Sequence, residues 1–203
     1  MTNKTHYIST SIPYVNSDPH VGFALELVLA DALARHARGT GQEVLFQGGT
    51  DDNSLKNVRA AEAAGVEVSE LVKANARRFH ELASVLGVEF DEFVSTGRDE
   101  RHRRAVEKLW QACAEAGDLY KKAYQGLYCV GCEQYYAESE LADGCCPEHG
   151  SRPETIREEN WFFRLSRYGD DLLSLIENGA IEIVPTTRRN EVLSFLKGGL
   201  EDI

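Results

Sequence analysis

The chain has 203 residues, 42% hydrophobic and 27% charged, with a formal net charge of −11. That balance implies a soluble globular chain with one sizeable core or two smaller units. Its acidity argues against a broad, non-specific grip on nucleic acid, which rests on Lys and Arg. No apolar run approaches the roughly 20 residues that cross a bilayer, and the opening Met1 to His6 lacks the apolar heart of a signal peptide, so no membrane partner and a cytoplasmic location are expected. In that reducing compartment five cysteines should not build a disulfide framework. The basic clusters at Arg98 to Lys108, Arg164 to Arg167 and Arg188–Arg189 read as solvated faces.

In chain order, "HYISTSI" (6–12) reads as a short strand entering a loop. Gly22 to Arg38 follows a helical period with Leu25, Val28, Leu29, Ala32 and Leu33 on one face. "EVLF" (43–46) is a second buried strand, and "GGTDDNS" (48–54) a polar turn before a helix to Ala64. Another helix opens at Ser69 with the stripe Leu71, Phe79, Leu82 and Leu86, and "VEFDEFV" (88–94) alternates like a strand. Thr96 to Ala116 is a helix with Val106, Leu109, Trp110 and Cys113 inward. This order is that of a parallel α/β sheet, whose ligands bind at the carboxyl ends of its strands. Texture changes at Gly117, so a first domain over 1–117 and a second over 118–203 are expected. Two short helices, near 168–178 and 188–197, close the second around "IEIVP".

Three stretches carry chemistry. In "PYVNSDPHVGF" (13–23), Pro19 forces a sharp turn and Gly22 lets a ligand approach the start of a helix. The free N–H groups there attract an anion such as a phosphate, and His20 adds a donor. Ordinary turn punctuation would look the same. In "GGTDDNSLK", Asp52 reads best as a cap of the next helix, while Asp51 fits a cap or a partner for a substrate ammonium equally well. The strongest pattern is Cys129-x₂-Cys132, then thirteen residues, then Cys146-x₂-His149. Paired soft ligands on two tight turns match a closed tetrahedral zinc knuckle, which is structural because no coordination position stays open. Cys145 is the competing thiol, and the spacing favours Cys146.

These residues resemble a known family. "IPYVNSDPHVGF" is similar to the first signature of class I aminoacyl-tRNA synthetases of the methionyl type, and "FQGGTDDNS" to their second active-site loop. "QGLYCVGC", "CCPEHG", Phe162–Arg164 and Arg189–Leu193 extend the resemblance over nearly the whole chain. It implies half of a Rossmann-like, HUP-type parallel sheet with a zinc-bearing connective insertion. It also implies ATP, taken with Mg, and methionine as substrates, with transfer to tRNA. Position by position, Pro19, His20, Gly22 and Phe23 would lie at the ATP, with His20 on its phosphates. Ile12, Tyr14 and Asp51 would hold the amino acid, Asp51 at its ammonium.

The sequence also departs from the family. Phe23 stands where the signature has its second histidine, and a lost phosphate donor of this kind costs about 2.7–4 kcal/mol of transition-state stabilisation. Asn53-Ser54 replaces a His-Gly. Asn53, a second catalytic candidate, restores one hydrogen bond, whereas Ser54 would not tolerate a positive φ cheaply. The sequence ends at "GGLEDI", ahead of the family's second nucleotide-binding half, so a complementing half or partner chain is expected and the first strand should lie at an edge. Two alternatives remain: a paralogue that adenylates an amino acid for a different acceptor, and a non-catalytic binding module.

Overall fold

A computed structural model describes residues 5–203, which form two compact units, one running to Val106 and the other Glu107–Ile203. The first contains β1 (Thr5–Ser9), α1 (Val21–Gly39), β2 (Glu43–Thr50), α2 (Leu55–Ala64), α3 (Val68–Val85) and β3 (Glu92–Ser95). The division falls inside α4 (Glu100–Glu115), ahead of the change of texture at Gly117. No helix among the described residues is long and apolar enough to cross a membrane.

The strands lie parallel in the order β1-β2-β3, with Ile8 opposite Phe46 and Gln47 opposite Glu92. Their inward side chains meet α1 and α3 in a core that includes Phe23, Leu27, Phe46, Val72 and Phe79. Phe46 and Leu27 are wholly buried, each contributing about 1.5–3 kcal/mol by removal from water.

Three expectations are corrected. The buried stripe of α1 is Phe23, Leu27, Ala30, Ala34 and Ala37, whereas Leu25, Val28, Leu29 and Leu33 are 45–62% exposed. The helix is apolar nearly all round, so periodicity alone cannot choose a face. The face with small alanines wins because it allows close packing. No residue of α4 is buried, and Leu109 is 67% exposed. Its aromatic Trp110 meets Trp161 edge-on at 5.8 Å instead of entering a core. Finally, β2 continues through Gly48-Gly49-Thr50, which read as a turn. A Cβ on Gly49 would stand 2.4 Å from the carbonyl oxygen of Val94, so the glycine permits the close approach of β3 rather than a bend.

The second unit holds an antiparallel sheet in the order β5-β4-β6, from β4 (Leu119–Cys129), β5 (Gln134–Tyr136) and β6 (Glu154–Phe163). Then come α5 (Gly169–Glu177) and α6 (Thr186–Lys197), which pack through Ile176, Leu193 and Leu196. Asp118, 2% exposed, is satisfied by the Arg167 guanidinium and the Tyr168 hydroxyl. That pairing explains how a carboxylate stays buried at the entrance to β4.

Candidate functional site at the sheet edge and the cysteine knuckle

Two loops leave the carboxyl ends of β1 and β2. One rung joins them: the Asp51 N–H donates to the Pro13 carbonyl at 2.9 Å, and Tyr14 bridges Asp51 in parallel. Ser11 gives its backbone N–H and its hydroxyl to Glu26 of α1, and the Asn75 amide holds the buried Val15 carbonyl at 2.7 Å. The first loop is therefore pinned by α1, α3 and the second loop at once.

His20 is the N-cap of α1, and its Nδ1 accepts the Gly22 N–H at 3.1 Å. A neutral imidazole that accepts at Nδ1 carries its proton on Nε2, so the exposed ring keeps a donor for a ligand. Gly22 has a local reason to be glycine. A Cβ there would stand 2.9 Å from His20 Cε1 and push the ring off its cap. Pro19 is half-buried beside it. Phe23 turns inward, 5% exposed, with its ring 5.2 Å edge-on from Phe79. At this helix start His20 keeps a side-chain donor for a phosphate, whereas residue 23 is spent on packing.

Asp51 Oδ1 accepts from the Asn53 N–H at 3.0 Å and the Thr96 hydroxyl at 3.2 Å. Its second oxygen has no protein partner among the described residues. Asn53 is exposed next to it, Ile12 is 42% exposed, and the Lys56 ammonium lies 5.1 Å over the Tyr14 ring. Asp52 is not a helix cap. Ser54 is, accepting the Lys56 N–H at 3.0 Å with φ −153°, so the serine needs no left-handed backbone. Asp52 is buried instead and receives Thr50 Oγ1, Ser95 Oγ at 2.6 Å and Arg98 Nε at 3.2 Å. Asn57, wholly buried, donates to the Asp51 and Asp52 carbonyls. Glu26, Asn57, Ser95, Thr96 and Arg98 escape a sequence reading because their partners lie on other elements. An asparagine inside a helix pattern was the one local signal.

The second site is built on the turn after β4 and the turn around Cys146. The Cys129, Cys132 and Cys146 sulfurs and a His149 ring nitrogen lie within 4.8 Å of one another, a donor set able to hold a metal ion. Cys132 Sγ is 3.4 Å from Cys146 Sγ and 3.1 Å from His149 Nδ1. Bonds of about 2.3 Å to one tetrahedral metal imply S···S edges of roughly 3.8 Å, close to this packing. Cys145 is not part of this donor set, and its backbone pairs with Ala142. Burial opposes ionisation of Cys146, yet hydrogen bonds from His149 and the local backbone bring its thiol down to about 6, toward the thiolate that binds metals. The Tyr136 hydroxyl donates to Cys132 at 3.1 Å, and its contacts with Cys132 and Cys146 raise its pKa, so it stays a donor beside the sulfurs.

Comparison with known proteins agrees with this architecture. The chain is 42% identical over 207 residues to the methionine–tRNA ligase of Brucella suis, covering all of this chain and 40% of that protein. It is 41% identical to the ligase of Caldanaerobacter subterraneus, covering 98% of this chain and 31% of that one. The crystal structure of Mycobacterium tuberculosis methionyl-tRNA synthetase bound by methionyl-adenylate superposes with a TM-score of 0.92 at 41% identity, over 98% of this chain and 40% of that one. The chain thus spans about 40% or less of the length of these relatives. The family profile described as tRNA synthetases class I (M) matches residues 6–153. With its half Rossmann-like sheet, its paired loops and its cysteine knuckle, the chain belongs to the class I aminoacyl-tRNA synthetases of the methionyl type.

Proposed function

We propose that this chain contributes to the ATP-dependent activation of methionine for tRNA charging, acting with polypeptide that corresponds to the remaining length of its relatives. The observation that carries this reading is the Tyr14–Asp51 rung, which holds a phosphate-facing loop and an acidic loop side by side at one sheet edge. ATP, entering with Mg, meets the start of α1. There His20 Nε2–H and the first free backbone N–H groups receive phosphate oxygens, while Pro19 and Gly22 keep the approach open. The free oxygen of Asp51 takes the methionine ammonium, with Ile12 and Tyr14 flanking the side chain. Asn53 supplies an exposed amide where charge develops on the α-phosphate. The unit that begins near 118 reads as the connective insertion of the family. Its Cys129, Cys132, Cys146 and His149 hold zinc, which supplies stability and no catalysis. A tRNA-charging role belongs in the cytoplasm.

The buried Phe23 favours a second reading, in which an adenylate forms slowly for another acceptor or the site only binds its ligand. Methionine-dependent exchange of pyrophosphate into ATP separates the two. The first reading expects exchange when the complementary polypeptide of a relative is added, falling roughly a hundredfold in Asp51→Asn. Exchange driven by a different amino acid, or methionine binding without exchange, would overturn it in favour of the second.

A further inference from the structure

A concavity of about 520 Å³ lies between α3 and the end of β3, apart from the residues assigned to ATP or methionine. Its size suits a small organic ligand. Lys73, Arg77 and His80 stand on successive turns of α3, Phe93 and Ser95 come from β3, and Arg98 from the turn beyond. The single carboxylate in its wall is Glu70. In a chain of net charge −11 this is a local concentration of cations. Lys73 and Arg77 are weakly committed elsewhere. Lys73 has no ion pair or hydrogen bond among the described residues, and Arg77 meets only Glu81 across an exposed 3.3 Å pair. The Phe93 ring, edge-on to His80 at 5.0 Å, offers an apolar surface among these charges.

We infer that this hollow binds a small organic anion, an aromatic-sized apolar body carrying a phosphate or carboxylate, and that Arg98 links its occupancy to Asp52. The body packs on Phe93 and the alanines of α3, and the charged end meets Lys73, Arg77 and Arg98. Arg98 and Ser95 are also among the groups that hold the Asp52 carboxylate. An anion that draws on Arg98 therefore competes with Asp52, and the influence runs both ways. Asp52 adjoins the Asp51 carboxylate, so occupancy reaches the edge of the proposed amino-acid site. The binding claim itself does not depend on that function.

Titration calorimetry of the 203-residue chain with phenyl phosphate, without ATP, methionine or tRNA, tests it. Saturable one-site binding is expected, weakened roughly tenfold by Lys73→Ala or Arg77→Ala, both on an exposed helix face. Inorganic phosphate should bind at least about tenfold more weakly, since it lacks the apolar body. Asp52→Asn should tighten phenyl phosphate several-fold by releasing Arg98. Because that buried change can unfold the loop, a shift of the Asp52 amide resonance on titrating the unaltered chain is the companion readout. Non-saturable binding, indifference to Lys73→Ala and Arg77→Ala, or equal affinity for inorganic phosphate overturns the site. A motionless Asp52 resonance overturns the link.

Discussion

The two sheets of this molecule hold themselves together by different means. The parallel sheet is backed by an apolar core of eleven buried residues among those described, from Val15 to Val88, supplied by β2, by α1 and α3, and by two loops. Between Leu119 and Phe163 the buried side chains among those described are Cys129 and Cys146 alone. Hydrophobic burial sustains the first region, while the second concentrates its interior into a sulfur cluster. A region with so little apolar interior needs another source of stability, and bound metal is the one its side chains can supply.

The sharpest way to break that comparison is to remove the metal proposed for the knuckle. Structural zinc sites contribute on the order of 10 kcal/mol or more. A chelator, or Cys146→Ser, should abolish amide-exchange protection across β4, β5 and β6 and leave β1, β2 and β3 protected. Loss of both together would show that the contrast is wrong. Next in size is Phe23→Ala, which empties a packed aromatic site and should cost the first unit about 3–5 kcal/mol, read as a lower denaturant midpoint with the knuckle's metal content unchanged. Phe23→His should also destabilise, since it buries a polar ring against Phe79.

Ser54→Ala removes the true cap of α2 and should cost about 1 kcal/mol, whereas a capping role for Asp52 would leave stability unchanged. The smallest effect concerns pH. Asp99 is held down to about 2, chiefly by hydrogen bonds from Arg101. A carboxylate lowered in the folded state stabilises above its unfolded pKa and loses that contribution as pH falls through the folded value. The start of α4 should therefore fray between about pH 4 and 2, seen as faster exchange at Arg101 and His102 with the strands intact.

What the sequence revealed tracks how local each determinant is. The strand and helix order followed from short-range periodicity, and the knuckle from paired ligands on tight turns. The buried face of α1 did not, because Leu25 and Leu29 look as fit for a core as Leu27 does, and only the sheet decides between them. The C-terminal end of β2 was misread because Gly48-Gly49 suggests a bend until Val94 is seen pressing against it. Asp52 was misassigned for the same reason, since its partners Ser95 and Arg98 belong to a distant stretch. Phe23 could be recognised as a departure from the signature, but its inward turn required the position of Phe79.

The shared rung between Tyr14 and Asp51 has a further consequence. Because the amide of Asp51 is anchored on Pro13, the acid inherits its location from the preceding loop rather than from its own strand alone. A change that displaces Pro13 would carry the carboxylate along with it, so the two loops shift in step.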